Sequence, residues 1–326
     1  MQSYGIKTVG DHMSLELRDL PMPEPGRHQL LIRVRAAGLN RGEFIAGHGL
    51  HGTSSAPKAA GNEGAGEVVK VGPGVVRFKV GDRVMGRCLG AFAEYSLMDA
   101  RETMAVPVNL SWEQAAAIPL AFLVVYDMLV LQGRLAANEW LLVTGISSGV
   151  GVAALQTAKA LGARVIGTSG SQDKISRLEK YGLDLGLCTR QPDFHDAVMQ
   201  ATNGKGAHLV VNTVGGTMFA ECVRSMAYEG RFATVGYVDG VLKSEIDIDA
   251  LHSKRLTFFG VSNKLRGPEQ RIPLIEAFVD QMVPMFADGR IRPVVDKVFP
   301  FDQIEAAKKY MEANLHLGKI VVSMPA

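Results

Sequence analysis

The sequence predicts an α/β protein with a β-rich barrel or sandwich at the N-terminus, then a doubly wound, six-stranded parallel sheet, then a return to the first domain. Three observations predict it. The first third carries short apolar segments separated by Gly and Pro. From Ser111 onward strand and helix patterns alternate. The 326 residues exceed what one ordinary core holds.

Taken in order, QLLIRVRAAG (29–38), EGAGEVVKVG (63–72), GDRVMGR (81–87) and AFAEYSLM (91–98) read as strands, with Gly72-Pro73-Gly74 and Gly81-Asp82 at turns. Ser111-Trp112-Glu113-Gln114 has the form of a capping box, which predicts one long helix to about Leu131. Beyond it, LLVT (141–144), RVIGT (164–168), LGLCT (185–189), HLVVNTV (208–214), RFATVG (231–236) and LTFFGV (256–261) are strand candidates. Helical stretches fill most of the gaps, among them 150–162 and 218–228, and strands joined by crossovers pair in parallel. A helix near Asp302–Glu312 and a last strand, GKIVVSM (318–324), are expected to pack on the N-terminal domain. The expected domains are therefore 1–120 with 265–326, and 121–264.

Composition narrows the function. Hydrophobic content of 47%, charge of 21% and a net charge of +2 describe a globular chain without a polyanionic partner. No basic run with interleaved aromatics predicts nucleic-acid binding. Cys88, Cys188 and Cys222 form no CxxC pair, which points to a reducing, cytoplasmic setting. MQSYGIKTVGDH lacks the basic and apolar regions of a signal peptide. The apolar run Ala115–Leu131 contains Pro119 and Asp127 and is short of a membrane span, so a buried helix is expected and no membrane partner.

The stretch LLVTGISSGVGVAALQTAKALG is the most informative. A buried strand runs into Gly145-Ile146-Ser147-Ser148-Gly149-Val150-Gly151, and a helix opens there. Glycine lets backbone approach a ligand, and the helix N-terminus offers N–H groups to a pyrophosphate, so this loop is expected to bind a dinucleotide. Enzymes that take NAD place an acid at the end of the second strand. Here that end reads Gly167-Thr168-Ser169-Gly170-Ser171, without an acid before Asp173. Ser169, Ser171, Lys174 and, after the third strand, Arg190 suit a 2′-phosphate instead, which favours NADP(H).

The loop also satisfies the TGxxxGxG pattern of short-chain dehydrogenases, but none of the seven tyrosines has Lys four positions later. The loop also follows more than 140 residues, whereas short-chain enzymes begin with it. The whole chain resembles the medium-chain dehydrogenase/reductase superfamily instead. The resemblance rests on AAGLNRGEF (36–44), GNEGAG (61–66), VGPGVVRFKVGDRV (71–84), GAFAEY (90–95) and the glycine loop. It implies a GroES-like catalytic domain, a Rossmann domain and a C-terminal return.

Zinc alcohol dehydrogenases of that superfamily carry GHEGAG, with the histidine on zinc; Asn62 stands in its place, Asn40 at the first cysteine ligand and Ala121 near the third. The four-cysteine structural lobe is missing, since Arg87 runs almost directly into Gly90. No metal is therefore expected, and GNEGAG reads as a retained scaffold with Glu63 structural. His48 and His51 form an alternative pair without a third ligand. The zinc-free quinone oxidoreductase branch, the zeta-crystallin-like one, fits best. It implies that Asn40 orients the acceptor, that Lys174 binds the 2′-phosphate, and that Gly236, Tyr237 and Ser262 line the nicotinamide. Phe44, Ile45, Phe92 and Tyr237 are candidate pocket walls. Ile45, Thr189 and Val124 depart from that branch, which has tyrosine, tyrosine and threonine there.

The expected reaction is hydride transfer from NADPH to a quinone or an α,β-unsaturated carbonyl. Conjugation spreads the incoming charge, so neither zinc nor a dedicated acid is needed. An enoyl-thioester reductase and a non-catalytic NADPH-binding protein are the alternatives, and a homodimer is implied by the resemblance alone.

Overall fold

The computed structural model describes residues 1–9, 12–44 and 58–325. The chain divides into two compact units, one made of 1–123 and 264–326, the other of 124–263.

The first unit opens with an antiparallel hairpin, β1 (Gln2–Val9) and β2 (His12–Asp19), which the sequence pattern had not marked. The strands β3 (Gln29–Gly38), β4 (Lys58–Ala59), β5 (Glu63–Val71), β6 (Arg83–Arg87), β7 (Tyr95–Asp99) and β8 (Thr103–Ala105) follow. Short strands with turns between them pair antiparallel: β3 with β5 and β7, β5 with β6, β6 with β8.

The single helix expected after Ser111 is interrupted. Ser111 does close a capping box with Gln114, but α1 (Trp112–Ala116) is only five residues long. Pro119 then starts α2 (Pro119–Tyr126), because its ring clashes with the preceding turn and it has no N–H to continue the ladder. A wider-turned π-helical stretch, Asp127–Gln132, extends α2. Among the described residues no helix is long and apolar enough to cross a membrane.

The second unit alternates β9 (Trp140–Thr144), α3 (Gly149–Ala160), β10 (Arg164–Ser169), α4 (Gln172–Glu179), β11 (Leu185–Cys188), α5 (His195–Ala201), β12 (Ala207–Asn212), α6 (Gly216–Arg224), β13 (Met226–Thr234), α7 (Ile248–Ser253) and β14 (Thr257–Gly260). The sheet order is β11-β10-β9-β12-β13-β14 and every pairing is parallel. Leu142, Ile166, Val210 and Phe232 are fully buried on adjacent strands, which is why these strands read as continuous apolar runs. Phe232 stacks on Phe258 and lies 4.9 Å from Phe219, closing one side of this core.

The chain then returns to the first unit through α8 (Pro268–Gln281), α9 (Val283–Ala287), β15 (Val295–Pro300), α10 (Ile304–Glu312) and β16 (Lys319–Ser323). β16 joins the first sheet antiparallel to β3, with Val321 opposite Gly38 and Ser323 opposite Ala36. The same register carried two residues outward sets Lys319 opposite Asn40. The β3–β5 register, with Ala37 opposite Gly64, brings Glu63 to the same place.

Candidate active site

Two constellations carry chemistry, one in each unit. In the second unit the strand order reverses beside β9, where β10 lies on one side and β12 on the other, and ligands of open α/β sheets bind at such a point. Gly145 turns the chain out of β9 with φ +66°, and a Cβ there would lie 2.6 Å from Thr213 Oγ1. Only glycine takes this position without strain.

A buried network fixes the turn. Thr144 Oγ1 donates to Asn212 Oδ1 at 3.0 Å, and Asn212 Nδ2 donates to the Gly215 carbonyl at 2.9 Å. Thr213 Oγ1 donates to the Thr144 carbonyl at 2.7 Å. Asn212 and Thr213, which join β9 and β12 at their C-terminal ends, were not singled out from sequence. The available signal was that polar residues close two otherwise apolar strands.

Ser148 caps α3: its hydroxyl accepts the Gly151 N–H at 3.0 Å, and its carbonyl accepts that of Val152. The N–H groups of Gly149 and Val150, the first two of the helix, are left for a ligand oxygen at the positive end of the helix dipole. Ser147 and Ser169 meet at 3.3 Å between hydroxyl oxygens, so loop and β10 end in one place. Ser171 caps α4, whose first turn contains Lys174. The exposed Arg190 lies over Gly170, where a Cβ would be 2.2 Å from its Nε. Ser169, Ser171, Lys174 and Arg190 thus border one edge of the loop. Thr189 is engaged locally, donating to Asp193 and accepting the Gln191 N–H.

A Cβ on Gly236 would lie 3.0 Å from the Thr213 carbonyl oxygen, and Val235 donates to the Asn212 carbonyl. Tyr237, 39% exposed, follows it. Ser262 follows β14 directly after Val261, which bonds Thr234. The strand ends therefore bring the glycine loop, Thr213, Gly236 and Ser262 to one edge of the sheet. The residues fit a dinucleotide: a glycine cradle that a Cβ would fill, two helix N–H groups, and a rim where Lys174 and Arg190 supply cations while Asp173 pairs with Arg177.

The first unit holds the second constellation. Asn40 follows β3 and is tied on every side. Its Nδ2 donates to Glu43 Oε1 and to Glu63 Oε1, both at 2.9 Å. Lys319 Nζ donates to Asn40 Oδ1 and to the Leu39 carbonyl, each at 2.9 Å, and to Glu63 Oε1 at 2.5 Å. The Leu120 N–H completes Glu63 at 2.7 Å to Oε2. Glu43, Glu63 and Lys319 are buried, so this is an ion pair and a second carboxyl removed from water. Both amide hydrogens of Asn40 are spent, and only one lone pair of its oxygen remains; it can accept from a ligand but not donate.

Burial first, and the charge of Glu63 after it, push the Glu43 carboxyl up to about 7, against the pull of Asn40, Lys319 and Asn62. Glu43 and Lys319 were not picked out from sequence. A lysine opening an otherwise apolar last strand was the one signal available.

Phe44 and Phe92 both belong to the buried core cluster of the first unit, and Phe92 has no exposed surface. Ile45, His48 and His51 lie outside the described residues. Among the described residues no three of His, Cys, Asp and Glu are placed to hold a metal. The resemblance puts the catalytic-zinc ligands of zinc dehydrogenases at Asn40, at Asn62 and near Ala121, whose methyl is buried. That donor set does not fit zinc.

Two family models match the chain: the alcohol dehydrogenase GroES-like domain over 26–108 and the zinc-binding dehydrogenase over 149–278. The highly reducing polyketide synthase gloL of Glarea lozoyensis is 31% identical over 306 residues. That match covers 92% of this chain, which spans only 12% of that protein's length. CurK enoyl reductase superposes with TM-score 0.87 at 26% identity, covering all of both chains. Escherichia coli quinone oxidoreductase complexed with NADPH does so with TM-score 0.88 at 26% identity, covering 99% of this chain and 100% of that one. With a GroES-like domain in the first unit and an all-parallel Rossmann sheet in the second, this chain belongs to the medium-chain dehydrogenase/reductase superfamily of oxidoreductases.

Proposed function

We propose that this protein is a zinc-independent, NADPH-dependent reductase of quinones or α,β-unsaturated carbonyl compounds. The observation that carries the reading is the donor set around Asn40 and Asn62. By resemblance two amides stand at zinc-ligand positions and a methyl near the third, a donor set that favours an acceptor whose reduction needs no Lewis acid. A conjugated acceptor meets that condition, because negative charge moves onto an oxygen remote from the carbon attacked.

When bound, NADPH supplies the hydride. Gly145, Ser147, Ser148, Gly149, Val150 and Gly151 hold its pyrophosphate, and Ser169, Ser171, Lys174 and Arg190 its 2′-phosphate. Gly236 and Ser262 border the nicotinamide. Asn40, whose Oδ1 can only accept, would orient by taking a hydrogen bond from an N–H donor such as the carboxamide of bound NADPH, since a quinone or enone carbonyl has none to give. Orientation and exclusion of water supply most of the acceleration, and solvent supplies the proton.

An enoyl-thioester acceptor is the second reading. The polyketide synthase relatives and the likeness to CurK enoyl reductase support it.

The test is steady-state NADPH oxidation after chelator treatment, with a small quinone, a short-chain enone and a crotonyl thioester in parallel. Turnover that survives chelation and is at least about tenfold weaker with NADH is expected, and the fastest acceptor decides the class. Lys174→Ala combined with Arg190→Ala is expected to remove most of the preference for NADPH, since charge-assisted bonds to phosphate are the strong ones. Tight NADPH binding without turnover of any of the three would overturn the reading.

A further inference from the structure

Among the described residues the cluster around Asn40 contains one cation and two carboxyl groups. Lys319 and Glu63 pair directly, so the charge of the second carboxyl, Glu43, has no buried counterion of its own. Its geometry is also incomplete. Oε1 accepts from Asn40, but among the described residues Oε2 is buried without a partner at hydrogen-bond distance, and so is Asn62 Nδ2, which is near enough to pull the Glu43 carboxyl down without closing a bond. An ionised carboxylate with a bare buried oxygen is costly; a neutral acid is much less so.

We propose that Glu43 is a positioning residue for Asn40 and that it works as the neutral acid, leaving the Glu43–Glu63–Lys319 cluster without net charge while negative charge develops on the acceptor. This rests on the reading that Asn40 faces the acceptor. Among the described residues the groups facing Glu43 are Glu63 on β5, Lys319 on β16, Asn40, Asn62 and the Cys88 thiol after β6. Cys88 is itself buried and pushed up to about 12, mainly by burial, so it adds no charge at neutral pH. Among the described residues Lys319 is thus the cation of the cluster, and it is committed to Glu63, Asn40 and the Leu39 carbonyl.

The burial-raised carboxyl of Glu43 titrates near pH 7, so the sign of the effect is fixed. Below that pH the cluster is neutral. Above it the cluster carries one negative charge, which repels the charge forming on the acceptor and slows hydride transfer. A drop in kcat of roughly tenfold or more is expected as pH rises through 7, since at an effective dielectric of about 20 one unit charge has that effect on another even about 12 Å away. KM for NADPH is expected to change little, because the 2′-phosphate and pyrophosphate residues are elsewhere in the chain.

Two measurements test this. The first is pH-dependent difference infrared spectroscopy of the protein without cofactor. A protonated-carboxyl stretch that titrates near pH 7 and is absent from Glu43→Gln supports the proposal. Loss of that proton below about pH 5, the ordinary carboxylate range, overturns it whatever the acceptor proves to be. The second is the pH profile of kcat. Glu43→Gln, neutral at all pH values, is expected to lose the alkaline limb. Glu43→Asp, a shorter acid, is expected to keep it at reduced kcat. An alkaline limb unchanged in Glu43→Gln overturns the proposal. Asn40→Ala separates the two layers: if it leaves kcat and the limb intact, the reading of Asn40 fails, while the infrared result still reports the state of Glu43.

Discussion

The two constellations are built on opposite principles. In the second unit the site is made of backbone: a glycine turn, two helix N–H groups and short hydroxyl contacts at strand ends. In the first unit it is made of long charged side chains taken out of water and held by one another. The backbone site is local, since Gly145 to Gly151 lie in one heptapeptide. The side-chain site joins Asn40 to Glu63, 23 residues away, and to Lys319, 279 residues away. A local site loses little when one contact goes, whereas a buried ionic site depends on every member being present.

The largest effect expected from this contrast is therefore in the first unit. Lys319→Ala leaves Glu63 as a buried charge without its partner and should destabilise by about 3–5 kcal/mol. Equilibrium urea denaturation measures it. The double variant Glu63→Gln with Lys319→Met removes both charges and should recover most of the loss. A loss under about 1 kcal/mol in the single variant would mean that the pair is hydrated, and the contrast between the two sites would collapse.

A smaller effect is expected in the backbone site. Gly145→Ala keeps the left-handed turn only at a cost of about 1–2 kcal/mol, and its methyl meets Thr213 Oγ1. The turn must then shift, so NADPH binding should weaken by roughly tenfold in a fluorescence titration, which is the affinity equivalent of that strain. Unchanged affinity would show that the cradle tolerates movement, and that the helix N-terminus rather than the turn sets the pyrophosphate position.

The same contrast decides what was legible in the sequence. The central strands β9, β10 and β12 stand out as apolar runs, because burial on both faces leaves no polar alternation to confuse them, while the half-exposed edge strands β11 and β14 are legible from their apolar residues and place in the alternation. The glycine loop is legible because its chemistry is contiguous. The hairpin of β1 and β2 is not: β1 buries Ser3, Tyr4, Gly5 and Ile6 in succession, but a serine and a glycine among them leave no apolar run, and β2 is mostly exposed. The break before α2 was available in Pro119, but the capping box and the long apolar run argued for continuity. Glu43 and Lys319 escaped notice because their role depends on the registers of β16 with β3 and β3 with β5, and strand register is a property of the folded sheet.

The smallest expected effect separates the two units by the sign of their pH dependence. His208 Nδ1 accepts the Trp140 N–H at 3.1 Å, which requires that nitrogen to be unprotonated. Burial, followed by the charges of Arg231 and Lys205, lowers its pKa below the ordinary 6.5 against the pull of Glu139. The unfolded chain then binds more protons than the folded one just below pH 6.5. Stability from His208 is present above that pH and lost as pH falls through its lowered folded value. Glu43 acts in the other direction: its ordinary value is 4.5 and its folded value about 7, so stability is lost as pH rises between the two. Urea midpoints measured across this range should tilt oppositely in the two single variants. Glu43→Gln should flatten the fall toward neutral pH, and His208→Gln the fall toward acid. If both variants changed the same limb, the assignment of one carboxyl to the acidic form and one imidazole to the neutral form would be wrong for at least one of them. The Trp140 N–H bond would then be the first to re-examine, because the partly exposed His208 can swing out to water as Glu43 cannot.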